Sequence, residues 1–185
     1  MKVWIQTARV LLRTVTMEDV DEVALNWSVD GEPISREEAE NKVIWMLENH
    51  RQTAPGRVRH LCLAIIHQRD QRFIGWCGLD HLDPAKAHPV LFYLLQPDYR
   101  GQGLATEAAA ALLSYAVGEL GLARVDGGAA VENRASKRVM EKIGMRYLGL
   151  DDEGGHSFTL TREEYSQDKG QKAGSASARK ESHEI

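Results

Sequence analysis

The apolar positions change period along the chain, and each change predicts an element boundary. Arg9 to Val15 reads as a first strand. Thr16-Met17-Glu18-Asp19 has the form of a capping box, after which Val20, Val23, Ala24 and Trp27 recur at helical spacing. Gly31 and Pro33 interrupt that pattern. Ser35-Arg36-Glu37-Glu38 is a second capping box, opening a helix with Ala39, Val43, Met46, Leu47 and His50 on one face. Thr53 to Arg57 is a loop; His60 to Ile66 and Arg72 to Leu79 then predict a hairpin around a polar turn. Asp80 to His88 is a longer polar connection leading to an apolar strand, Val90 to Leu95. The stripe Leu104, Ala105, Ala108, Ala109, Leu112, Leu113, Ala116, Val117 and Leu120 predicts a long helix that Gly121 ends. Arg124 to Val131 is a strand rich in small residues. Tyr147 to Leu150 and His156 to Leu160 form a closing strand pair.

A chain of 185 residues suits one domain with a real core. The division expected is residues 1–166 as that domain and 167–185 as a polar tail. The tail has almost nothing apolar to repay the entropy of ordering and is expected to be flexible. A formal net charge of −4 implies no general attraction to nucleic acid. No apolar run reaches membrane-spanning length and no N-terminal signal pattern is present, so the expected location is cytoplasmic, with no membrane partner. Cys62 and Cys77 lie in strand-like stretches without metal-ligand spacing; they read as buried, reduced thiols, and no metal is expected.

The chemistry centres on Gln96-Pro97-Asp98-Tyr99-Arg100-Gly101-Gln102-Gly103-Leu104-Ala105-Thr106-Glu107. Strand, glycine-bearing turn and helix N-terminus together present free N–H groups and a positive dipole end to an anion. The dinucleotide fingerprint fails, because Thr106 stands where its third glycine belongs, and no phosphate-loop Gly-Lys-Ser/Thr occurs. Arg100-Gly101-Gln102-Gly103-Leu104-Ala105 resembles instead the acyl-CoA motif of the GNAT N-acetyltransferase superfamily. Downstream, Val131-Glu132-Asn133-Arg134-Ala135-Ser136 through Gly144-Met145 resembles that superfamily's next signature. The Asn-x-x-Ser form, Thr106-Glu107-Ala108 and the closing Leu160-Thr161-Arg162-Glu163-Glu164-Tyr165 resemble its RimJ/RimL-like branch, and the resemblance covers Val10 to Tyr165.

The resemblance implies an α/β fold: a GNAT-like mixed, twisted, mostly antiparallel sheet splayed between two central parallel strands, with helices on both faces. It implies acetyl-CoA as co-substrate. Backbone groups of Tyr93, Leu94 and Leu95 would face the splay, with the Leu95 N–H on the thioester carbonyl. Diphosphate would lie on Gly101, Gln102, Gly103, Leu104, Ala105 and Thr106. Arg100 points to phosphate or is a surface residue. Asn133 bonds pantetheine, caps its helix, or both. Trp27, Glu32 and Trp45 are candidate acceptor contacts, against which stands simple packing of the tryptophans beneath the two N-terminal helices.

Transfer to an amine requires the neutral amine. At pH 7 an α-amino group of pKa about 8 costs roughly 1.4 kcal/mol to neutralise, and a lysine of about 10.4 roughly 4.6 kcal/mol. Many members of the superfamily carry a Glu in the strand before the turn; Val90 stands there in this chain. Asp80, His81 and Asp83 are substitutes, with His81 the candidate base on intrinsic pKa, and Glu107 reads as structural. Other branches place a Tyr seven residues after the Asn, where this chain has Met140; the RimJ/RimL-like alternative is Ser136, hydrogen bonding to developing thiolate. The expected reaction is direct attack in a ternary complex on an amine-bearing small molecule or a protein N-terminus; a homodimer is compatible with it. A catalytically inactive CoA-binding regulatory protein and a nucleotide-phosphate binder are the alternatives.

Overall fold

The computed structural model describes residues 2–29, 32–83 and 85–168. Its elements run β1 (Trp4–Gln6), β2 (Val10–Thr14), α1 (Val20–Asn26), β3 (Ser28–Val29), β4 (Glu32–Pro33), α2 (Arg36–Arg51), β5 (His60–His67), β6 (Arg72–Asp80) and β7 (Val90–Leu95). They continue with α3 (Leu104–Gly118), β8 (Arg124–Ala129), α4 (Arg134–Lys142), β9 (Arg146–Leu150) and β10 (His156–Thr161), and residues 162–168 form a further helix. Among the described residues, eight strands make one sheet in the order β1-β2-β5-β6-β7-β8-β10-β9. Every neighbouring pair is antiparallel except β7 and β8.

Period-two alternation sorts the sheet's side chains onto two faces. Leu61, Leu63 and Ile65 of β5 join the core under α3 and α4, whereas Cys62 and Ala64 join the one under α1 and α2. The stripe expected on α3 is buried as predicted, with Leu104, Ala108, Ala109, Leu112, Leu113 and Ala116 at the sheet. Helices therefore cover both faces.

Local differences from the expectation have local causes. β1 is a three-residue edge strand with Trp4 exposed, too short to show a period. β8 stops at Ala129 rather than Val131 because the Asn133 N–H bonds the Ala130 carbonyl and turns the chain. Between α1 and α2 the chain forms the short β3–β4 pair; Gly31, expected to break the chain there, lies outside the described residues. Of the tail expected at 167–185, residues 167 and 168 continue the last helix, and 169–185 lie outside the described residues.

β7 and β8 part early. Their parallel register has only Val90↔Asp126 and Leu91↔Gly127, whereas β7 stays paired with β6 along its whole length. On the far side α1 is pinned to β2 by a two-pronged ion pair: Arg13 donates to both Asp19 carboxylate oxygens at 2.7 and 2.6 Å. Asp19 also accepts the Thr16 N–H at 2.8 Å, closing the capping box. The Asp19 side chain is only 5% exposed and that of Arg13 23%, so removing the carboxylate strands a largely buried guanidinium. Asp19→Ala is expected to lower the thermal midpoint by roughly 10 °C, on a loss of about 3 kcal/mol. Circular dichroism melts check this; a shift under 2 °C would exclude the role.

Candidate active site

The gap between β7 and β8 is the floor of a cleft of about 510 Å³. Its walls are Tyr93, Leu94 and Leu95 of β7, the turn from Tyr99 to Thr106, and Asn133, Ser136, Arg138 and Lys142 on α4. Antiparallel ladders alternate inward- and outward-facing residues. The Gln96 N–H bonds the Ile74 carbonyl, which sets Leu94 and Phe92 facing β6. Tyr93 and Leu95 consequently turn their N–H and C=O groups to the gap, where β8 has already departed. Leu94, expected to offer backbone groups there, has its main chain on β6 and contributes lining only.

The turn beyond β7 is built by conformation. Gly101 and Gly103 have φ of 73° and 79°, in the left-handed region where a Cβ is strained. A Cβ on Gly101 would meet nothing within 4 Å and one on Gly103 only Arg9 Nη2 at 3.5 Å, so the space beside both is open. Ladder bonding of α3 begins with the Glu107 N–H on the Gly103 carbonyl at 3.1 Å. The N–H groups of Gly103, Leu104, Ala105 and Thr106 are thus left without intrahelical acceptors. Those donors and the dipole suit a diphosphate.

Glu107 braces the turn from behind, accepting from Thr7 Oγ1 at 2.7 Å, the Arg9 N–H at 2.8 Å and Arg9 Nε at 2.7 Å. Burial alone would raise its carboxyl; the three donors and the guanidinium charge outweigh that and hold it below its ordinary value. Arg9 also donates to the Gln102 carbonyl at 2.8 Å, and Gln102, unlike its neighbours, does not line the cleft. Arg100 lines the cleft with its Nε donated to the Leu95 carbonyl at 2.8 Å, a partner that neither phosphate nor free surface foresaw.

On the α4 side Asn133 caps the helix, its Oδ1 accepting the Ser136 N–H at 3.0 Å, while also lining the cleft. The Tyr93 hydroxyl donates to Ser136 Oγ at 3.1 Å and to its carbonyl at 3.3 Å. Met140 is buried against Gly127 in the core. Arg138 and Lys142, one turn apart on α4 and both in the cleft wall, went unread in the sequence although they stand three and seven residues after Ala135, on one helix face with it.

Residues 9–146 match the model of the acetyltransferase (GNAT) domain family. The chain belongs to the GNAT acetyltransferase family. Its activity is accordingly acetyl-CoA-dependent N-acetylation. It is 29% identical over 174 residues to the FsC-acetyl coenzyme A-N(2)-transacetylase of Aspergillus fumigatus, covering 83% of this chain and 71% of that one. Two solved structures share its fold. RimL, the ribosomal L7/L12 alpha-N-protein acetyltransferase in complex with coenzyme A, matches at TM-score 0.72 and 17% identity over 86% of this chain and 98% of that one. The ribosomal-protein-S5-alanine acetyltransferase of Vibrio fischeri matches at TM-score 0.73 and 13% identity over 86% and 97%.

The other face of this GNAT sheet carries a second cavity of about 370 Å³, lined by Trp27, Ile34, Glu38, Asn41, Lys42 and Trp45. Lys42 Nζ sits 4.6 Å from the Trp27 ring and 5.8 Å from that of Trp45. Glu32, expected beside the tryptophans, lies exposed on β4 and does not line this cavity. His81 lines neither cavity; its Nε2 is held by the Lys86 carbonyl at 2.9 Å.

His60 is the buried imidazole on this face that sequence reasoning missed, because a histidine opening a strand carries no periodic signal. Its Nδ1 meets Asp80 Oδ1 at 3.2 Å, and its ring lies 4.7 Å from Trp45 and 5.5 Å from Phe92. Its Nε2 is buried without a hydrogen-bond partner among the described residues. Burial lowers its pKa, outweighing Asp80, and Lys42 lowers it further. The unfolded chain therefore binds the proton more readily, and stability present above about pH 6.5 is lost as pH falls toward the folded value. His60→Gln is expected to flatten urea-derived stability between pH 6.5 and 5, where this one group contributes at most about 1.4 kcal/mol per pH unit. Parallel wild-type and variant curves would assign the slope elsewhere.

Proposed function

We propose that this GNAT enzyme transfers acetyl from acetyl-CoA to a primary amine by direct attack within a ternary complex. The observation that carries the reading is the continuous run from the β7–β8 gap into the Gly101–Thr106 donors. Acetyl-CoA supplies an activated acyl carbon and a thiolate leaving group. The chain's own groups hold and polarise. Tyr93 and Leu95 offer main-chain partners to the amides of an extended pantetheine. The Leu95 N–H is the donor assigned to the thioester carbonyl, where negative charge develops. The N–H groups from Gly101 to Thr106 take the diphosphate, and Asn133 and Ser136 border the thiol end.

A covalent acetyl-enzyme is disfavoured by both thiols. Cys62 and Cys77 are buried, and burial drives the Cys62 thiol up to about 12 and the Cys77 thiol higher still. Such thiols are neither exposed nor ionised, as a nucleophile must be.

The acceptor enters from the α1–α2 face, with Trp27 and Trp45 as contacts; it is a protein N-terminus or a small amine, the acceptor type named for RimL favouring the former. An α-amino acceptor needs only about 1.4 kcal/mol to become neutral at pH 7, which suits a site without the strand Glu. The inactive-regulator alternative has no observation in its favour.

Thiol release from acetyl-CoA is expected with N-terminal peptides or small amines and not without them. Saturating acetyl-CoA at about 100 times Kd should stabilise the fold by about 2.7 kcal/mol, while ATP and NAD do not. Acetyl-CoA incubated without acceptor should leave the protein mass unchanged. A mass gain of one acetyl group on a cysteine would overturn direct attack, and binding without turnover across an amine panel would favour the regulator.

A further inference from the structure

Three groups stand outside the proposed chemistry: the Arg138–Lys142 pair and the Tyr93 phenol in the cleft, and the His60–Asp80 pair on the other face. The first pair borders cofactor without touching the reacting bond, and the second lines neither cavity. The phenol has a directed path into the cleft.

Ser136 Oγ accepts the Tyr93 hydroxyl at 3.1 Å, and the Ser136 N–H is spent on Asn133 Oδ1 at 3.0 Å. With the single phenol proton on Ser136 Oγ, the nearer of its two acceptors, the Ser136 O–H is left as donor, and apart from the phenol oxygen it has no acceptor among the described residues. Both side chains line the same cleft, on the wall beside Leu95. A hydroxyl that accepts a hydrogen bond becomes a better donor, since hydrogen bonds in a chain polarise one another. Phenol orientation is set by packing, for Tyr93 is half-buried against the core under α3 and α4.

We infer that Tyr93 is a positioning residue for acetyl transfer: its hydroxyl orients and polarises Ser136, whose O–H then stabilises the thiolate of departing coenzyme A. This rests on the acetyl-CoA reading and deepens it. It assigns to a β-strand phenol the help that Met140, a core thioether on α4, cannot give.

The reaction balances as follows. The amine nitrogen forms the N–C bond using its lone pair, the C–S bond breaks, and its electron pair stays on sulfur. The amine's surplus proton leaves to water, and sulfur takes one from water after release. No proton passes along the chain, because burial holds the phenol above its ordinary value of about 10, so donation to a thiolate of about 8.5 runs uphill. The Ser136 and Tyr93 bonds act by hydrogen bonding alone, and Tyr93 keeps its proton throughout the working range.

The test uses the full-length enzyme and its Tyr93→Phe, Ser136→Ala and double variants, with two readouts. One is the pKa of the thiol of bound coenzyme A, followed by thiolate absorbance across a pH titration of the complex. Wild type should lower it from the free value, Tyr93→Phe should cut the bound thiolate fraction at pH 7 about threefold, and Ser136→Ala should cut it further. Arg100, Arg138 and Lys142 also face the cleft and are unchanged in every variant, so their fields cancel in the comparison. The other is steady-state kinetics: kcat should fall about fivefold in Tyr93→Phe and about tenfold in Ser136→Ala, with KM for acetyl-CoA within twofold. The double variant should match Ser136→Ala alone, since a phenol acting through serine has nothing left to act on. Equal thiol pKa in wild type and Tyr93→Phe, or additive losses in the double variant, would overturn the relay. A wild type that neither binds coenzyme A nor turns over acetyl-CoA would overturn the underlying reading, a result separable from the first.

Discussion

The site exists because β7 and β8 cannot stay paired. A parallel ladder satisfies both chains evenly, and here it lasts two residue pairs before α4 lies across it. Packing enforces the parting. Gly127, opposite Leu91, is the last β8 residue in register, and a Cβ placed there would meet Met140 Sδ at 3.0 Å and a Met145 methyl at 3.1 Å. Helix α4 thus presses on the sheet at the point where pairing ends, with the Tyr93 ring wedged under its first turn. Of the main-chain groups left facing this gap, the Leu95 carbonyl is already bonded by Arg100 Nε, while the rest open onto the cleft. An extended ligand with amides of its own would find main-chain partners there without the sheet having to open.

The same economy governs the turn. Left-handed glycines at 101 and 103 aim a row of donors one way, and Glu107 with Arg9 holds the row from the opposite side. Because the brace is a charged carboxylate beneath the donors, it competes with no ligand for them. Free main-chain donors and the bracing of the turn are therefore supplied by separate groups.

This division explains what the sequence made legible. Donors that come from backbone at a glycine turn leave a compact local pattern, and Gly101, Gly103, Asn133 and Ser136, all marked by such patterns, line one cleft. The two-faced sheet was legible for the same reason, since period two and period 3.6 are local properties. What escaped depends on pairs distant in sequence. Tyr93 meets Ser136 across 43 positions, and His60 meets Asp80 only because β5 and β6 are in register. Leu94 and Leu95 could not be told apart without knowing which of them the β6 ladder consumes. Glu32 was misplaced because a two-residue strand pair redirects the chain between α1 and α2.

The chemistry then turns on where neutral amine comes from. A dedicated base is indispensable only if the acceptor is strongly basic, as the gap between about 1.4 and about 4.6 kcal/mol shows. On the face proposed for the acceptor, His81 is tied to a carbonyl and His60 is boxed between rings, while Lys42 and Glu38 bring one charge of each sign to the cavity with the tryptophans. An α-amino acceptor brought against that surface would need less proton removal than a lysine, so the absence of a strand Glu at Val90 weighs less if the acceptor is an N-terminus.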